Sequence, residues 1–162
     1  MSMRKGFFPT ALLALLLVLA IAGQAPAQNM KPKVDNFILF VDYSGSMNMS
    51  SEMVKGTKIS NAKGLIESMN KEIPALGYKS GVNTFAPYET LLAPTAYDKA
   101  KVSAAGAKIK TDYEIYGRNT PMGMGLKDLD PTLAGLSGKT AVIIFTDGDS
   151  NYGTDPVAEA KA

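Results

Sequence analysis

Two stretches of this chain are apolar over the length of a strand, and each ends at an acid. Phe37 to Val41 runs into Asp42, and Lys139 to Thr146 (KTAVIIFT) runs into Asp147. Their shortness, their β-branched and aromatic content and the Ser/Gly loop after the first favour buried strands over helices. Between them the period changes. Ile59, Ala62, Leu65, Ile66, Met69 and Ile73 recur at spacings of three and four, which predicts an amphipathic helix over Lys58 to Ile73, closed by Pro74. Lys79 to Ala86 (KSGVNTFA) reads as a strand weakened by Gly81 and Asn83 and ended by Pro87. Thr90 to Ala93 reads as a short edge strand, with Pro94 beside it as an edge allows. Tyr97 to Ile109 reads as a helix of unclear register, with Ala100, Val102, Ala104, Ala105 and Ile109 as its apolar positions. A long loop, Thr111 to Gly125, contains Asn119-Thr120-Pro121. Proline suits the first turn of a helix, which makes Thr120 the N-cap of a helix over Met122 to Leu136, split by Pro131. Asp155-Pro156-Val157 starts another helix.

Strands alternating with helices predict an α/β layer fold with an open, mostly parallel sheet. Ligands of such sheets bind beyond the carboxyl ends of the strands. Asp42, Ser44 and Ser46 follow the first strong strand and Asp147 follows the second, while Thr120 lies in a loop before a helix that can reach the same rim. Carboxylates and hydroxyls together suit a hard cation, which takes oxygen ligands. The plainer reading of the Asp42 loop is a polar turn capping a helix, since Ser and Asp are common N-caps.

Composition removes most enzyme chemistry. The 162 residues suffice for one domain and include no Cys and no His. That excludes a disulfide framework, a thiolate or imidazole metal site, a cysteine nucleophile and a Ser-His-Asp triad. The N-terminus has the form of an export signal. Arg4 and Lys5 precede an apolar Ala11–Ala22, and Ala25-Pro26-Ala27 is an A-x-A cleavage site, giving a signal peptide over 1–27 and a leader over 28–36. The apolar run is short for a membrane span, so the expected location is the bacterial periplasm or beyond it, with no span left after cleavage. The net charge of +2 resides in Arg4 and Lys5, so the mature chain is formally neutral. It has no basic stripe of the kind a nucleic-acid binder carries.

Three segments in order, Asp42-Tyr43-Ser44-Gly45-Ser46, Asn119-Thr120-Pro121-Met122-Gly123 and Phe145-Thr146-Asp147-Gly148, resemble the metal-ion-dependent adhesion site of the von Willebrand factor A (VWA) domain in its bacterial exported form. The resemblance spans Phe37 to Ala162. It implies a VWA domain over 37–162 and Mg²⁺ as the ion, with Mn²⁺ or Ca²⁺ as alternatives. Ser44, Ser46 and Thr120 would ligate it through their hydroxyls, and Asp42 and Asp147 largely through bound water. Hydroxyl ligands leave the ion's charge poorly offset, so an open position can take an Asp or Glu carboxylate from a protein partner. The family's domain continues past this point through further helices and one or two strands. The expected sheet therefore lacks its last strand or strands and helix, with a bare edge.

Other readings are weaker. Gly138-Lys139-Thr140 resembles the end of a phosphate-binding loop but precedes a strand, as a turn does. Asp147, Asp149 and Asn151 mimic a calcium loop, yet Tyr152 and Ala158 stand where it needs Gly and Glu. The sequence thus predicts a metal-dependent protein-binding module, not an enzyme. Its alternatives are a metal-dependent hydrolase or phosphoryl-transfer enzyme using Asp147 and Asp149, and a support domain of a longer cell-envelope protein.

Overall fold

β1 (Asn36–Asp42) is buried along its whole length. It lies inside a four-stranded sheet of order β3-β2-β1-β4, parallel to β2 (Lys79–Phe85) on one side and to β4 (Thr140–Phe145) on the other. A parallel strand covered on both faces reads as an unbroken apolar run, which explains Phe37 to Val41. Residues 30–162 of this computed structural model are described, apart from 51, 53, 54, 116 and 149. The signal segment, the first residues of the leader, Met53, Val54 and Asp149 lie outside the described residues. Pro32–Ala162 form one contact unit.

The alternation of β1 sorts its side chains into two cores. Phe37, Leu39 and Val41 pack with Ile59, Ala62 and Ile66 of α1 (Lys58–Glu72) and with Val102 and Ala105 of α2 (Lys99–Ala107). Ile38 and Phe40 pack on the opposite face with Phe85 and with Leu129 of α3 (Met122–Ala134). The sheet is the middle of three layers. A one-turn α4 (Pro156–Glu159) has Asp155 as its cap, as the Asp-Pro pair predicts.

Several details differ from the expected pattern. β3 runs over Glu89–Ala96, longer than Thr90 to Ala93, and includes Pro94. It is antiparallel to β2 and forms the sheet edge, where a missing N–H has an outer side to face. The apparent weakness of β2 has a purpose in pairing: buried Asn83 donates from Nδ2 to Tyr88 Oη and to Thr90 Oγ1. Leu65, expected on the apolar stripe of α1, is 57% exposed. Asn70 takes a buried place instead, donating to the Lys99 carbonyl and Ser103 Oγ while Tyr97 Oη donates to its Oδ1. α2 is shorter than Tyr97 to Ile109 because Asp98 caps it, accepting from Ala100 N and Lys101 N. Ala100 and Ala104 are exposed.

Two expectations about α3 are overturned. Pro131 does not split the helix, which continues through it to Ala134. Both Pro131 and Lys127 are exposed, so the carbonyl deprived of its i+4 donor can turn to water. Thr120 is not the N-cap. Pro121 occupies that place with φ −87° and ψ 60°, no side chain caps the helix, and the first helical residue is Met122. At the opposite end of the sheet, Gly138-Lys139-Thr140 is a turn: Gly138 has a positive φ and the Lys139 N–H donates to Asp35 Oδ2.

Among the described residues β4 is the other sheet edge, and Thr140–Ile144 are only half-buried.

Candidate metal centre

Asp42 stands opposite Phe85, and Val41 opposite Phe145, so β1, β2 and β4 finish at one rim. The chain leaves β1 through Tyr43 and Ser44 into a single 3₁₀ turn over Gly45–Asn48. Ser44 holds the cap position of that turn but makes no side-chain cap bond. Its hydroxyl is turned to other partners. The Ser44 N–H donates to Asp42 Oδ1 at 2.7 Å, and Ser44 Oγ lies 3.2 Å from Ser46 Oγ. Ser46 Oγ donates to Asp147 Oδ1 at 2.9 Å. Asp42, Ser44, Ser46 and Asp147 are therefore one hydrogen-bonded series, assembled from residues about a hundred positions apart.

Thr120 is buried and tied to the 150s segment. Its N–H donates to Asn151 Oδ1, and its carbonyl accepts from Ser150 Oγ and Asn151 N. Its hydroxyl makes no hydrogen bond among the described residues. The loop that carries it joins the Asp42 loop through the Gly45 N–H, which donates to the Arg118 carbonyl at 3.0 Å. Only glycine fits at position 45, because a Cβ there would run into the Ile115 carbonyl.

The site stands on an aromatic floor. The Tyr43 and Tyr113 rings stack 5.4 Å apart, and the Arg118 guanidinium covers Tyr113 at 4.8 Å. Tyr113 Oη donates to the Ser44 carbonyl, and Asn48 Nδ2 donates to the Tyr113 carbonyl. Tyr113, on the chain that leads to α3, thus braces the Ser44–Asn48 turn.

Burial pushes the Asp42 carboxyl above the ordinary aspartate value. Hydrogen bonds from Thr146 and Ser44 pull it back, and the negative charge of Asp147 raises it further. Burial also raises the Tyr113 phenol strongly, with the Asp42 charge adding to the rise.

All the side-chain donors in the series are oxygens: two carboxylates and the Ser44 and Ser46 hydroxyls. Among the described residues no three acids come together. Such a donor set fits a hard, oxygen-seeking ion better than a transition metal. The Asp147 charge beside the buried Asp42 carboxyl makes this a place where positive charge is favourable.

No family model and no curated protein sequence matches the chain. Solved structures do. An aerotolerance-related membrane protein from Bacteroides fragilis superposes with a TM-score of 0.62 at 23% identity, over 78% of this chain and 60% of its own. BatB, a conserved hypothetical protein from Bacteroides thetaiotaomicron, gives 0.51 at 20% identity, over 67% and 51%. The vWF domain of the type V pilus tip protein Mfa5 from Porphyromonas gingivalis gives 0.54 at 16% identity, over 71% and 38%. The fold is VWA-like. This chain spans 60% and 51% of the lengths of the first two. Among the described residues no helix is long and apolar enough to cross a membrane.

Within this VWA-like rim, sequence reasoning missed four participants. Thr146 Oγ1 donates to Asp42 Oδ2, Lys58 Nζ pairs with Asp147 Oδ2, Tyr113 braces Ser44, and Asn151 holds Thr120. Thr146 was visible as the residue before Asp147. Lys58 looked like an ordinary first residue of a helix, and Tyr113 lay in a loop without pattern.

Proposed function

We propose that this rim binds a divalent cation, Mg²⁺ foremost with Mn²⁺ or Ca²⁺ as alternatives, and that the domain is an exported, metal-dependent protein-binding module. The observation that carries the reading is the hydrogen-bonded series Asp42–Ser44–Ser46–Asp147 at the carboxyl ends of two adjacent parallel strands. Ser44, Ser46 and Thr120 would offer hydroxyl oxygens to the ion, and Asp42 and Asp147 would balance its charge. When bound, the ion supplies a Lewis-acidic position that an Asp or Glu carboxylate of a partner protein can complete. The residues around it orient the donors: Thr146 fixes Asp42, and Tyr113 fixes the Ser44 backbone. The VWA-like fold and the pilus tip neighbour support an interaction role, and the export signal supports a periplasmic or secreted location. Isothermal titration of the chain with MgCl₂ tests the reading. One ion should bind, and Asp42→Ala should abolish the heat; a full signal in that variant would refute the assignment.

A further inference from the structure

Lys58 is the first residue of α1, directly after the Thr57 cap. A cation in the first turn opposes the helix dipole, so its placement there asks for a compensating partner. That partner is Asp147: Lys58 Nζ lies 2.5 Å from Oδ2, the one ion pair among the described residues. The other oxygen, Oδ1, accepts from Ser46. Asp147 is therefore shared between a hydroxyl of the donor series and an ammonium. The two side chains are 33% and 12% exposed, so solvent screens the pair only in part. Beside it lies a cavity of about 290 Å³ lined by Met47, Ala62, Leu65 and Phe145 as well as by the pair itself. The flexible lysine stem has room to withdraw without leaving the site.

We infer that Lys58 is a positioning residue that competes with the divalent ion for Asp147 and sets the charge of the loaded site; the inference rests on reading the rim as a cation site. Asp42 and Asp147 together neutralise a divalent ion. Lys58 adds one positive charge, so the loaded rim keeps a net charge that an anionic partner group can neutralise. The same ammonium weakens ion binding and strengthens capture of a carboxylate.

The test is titration of the chain with Mg²⁺ and Mn²⁺, comparing the unaltered protein with Lys58→Gln, Lys58→Met and Lys58→Arg. Removing one unit charge close to a divalent ion should tighten binding on the order of tenfold in the Gln and Met variants. The gain should shrink as NaCl is raised, because screening acts on the ammonium–ion repulsion. Lys58→Arg keeps the charge and should restore the weaker affinity, which a purely structural role would not require. Thermal melts identify any variant that fails to fold, and the Gln and Met substitutions serve as alternates for one another. Ion binding by the unaltered protein with no tightening in either neutral variant overturns the role of Lys58 alone. Absence of Mg²⁺ and Mn²⁺ binding in every form overturns the cation site and this inference together.

Discussion

The Thr146 hydroxyl donates to Asp42 Oδ2 at 2.7 Å, tying the first residue after β4 to the last residue of β1. Asp42 is fully buried. With Ser44 N–H on its other oxygen, the carboxylate is held at both ends before any ligand arrives. Thr146→Val keeps the shape of the side chain and deletes the donor. A buried carboxylate oxygen left unmet costs about 1–3 kcal/mol, and urea denaturation should read that loss. Divalent-ion affinity should fall as well, because Asp42 is then free to turn.

Gly45 makes a second, steric prediction. Its Cβ position is filled by the Ile115 backbone, and its N–H holds the Arg118 carbonyl. Backbone cannot yield as a side-chain tip can. Gly45→Ala should cost about 1–3 kcal/mol by overpacking and should push the 113–118 loop off the Ser44–Asn48 turn. Loss of the Tyr113 hydrogen bond to Ser44 would show as a change in the near-ultraviolet circular dichroism of the stacked tyrosines.

β1 was legible because burial on both faces writes itself as an apolar run, β4 carries a similar run although it is a half-buried edge among the described residues, and the four residues that meet at the rim sit directly after those runs. Thr120 was legible only as a motif member, and its supposed capping role was not realised because Pro121 takes the boundary position. Lys58, Asn70 and Asn83 were opaque for a common reason. Each is a polar residue whose partner lies on another element: Asp147, the α2 carbonyl of Lys99, and Thr90 of β3. Periodicity reports which face is apolar, not which polar side chain will find a distant acceptor. Leu65 is the converse, an apolar residue in register with the stripe that meets no covering element among the described residues.

Tyr113 makes the fold sensitive to alkali. Its phenol is raised well above the ordinary 10.0, chiefly by burial. A raised value means that the folded state favours the protonated form. The contribution is complete below pH 10 and is lost as pH climbs toward the folded value. Stability measured in urea should therefore decline above pH 10. Tyr113→Phe should flatten part of that decline, leaving the share of Tyr43, which is also raised. At neutral pH the same variant should cost about 1 kcal/mol for the lost bond to the Ser44 carbonyl.

Thr120 separates what holds the fold from what would hold the ion. The segment is pinned through its backbone, by Asn151 and Ser150, while its hydroxyl bonds to nothing among the described residues. Thr120→Ala keeps every one of those backbone bonds and removes about one methyl's worth of burial, so its cost without metal should be about 1 kcal/mol or less. Asn151→Ala does the reverse, deleting the acceptor of the Thr120 N–H and destabilising by about 1–3 kcal/mol. Excess Mg²⁺ distinguishes them further. A ligand at a hundred times its dissociation constant adds about 2.7 kcal/mol to a protein that binds it only when folded. Thermal melts with MgCl₂ and with EDTA should show that increment in the unaltered chain and lose most of it in Thr120→Ala, although that variant is nearly as stable in EDTA. An undiminished Mg²⁺ increment in Thr120→Ala would place its hydroxyl outside the ion's coordination.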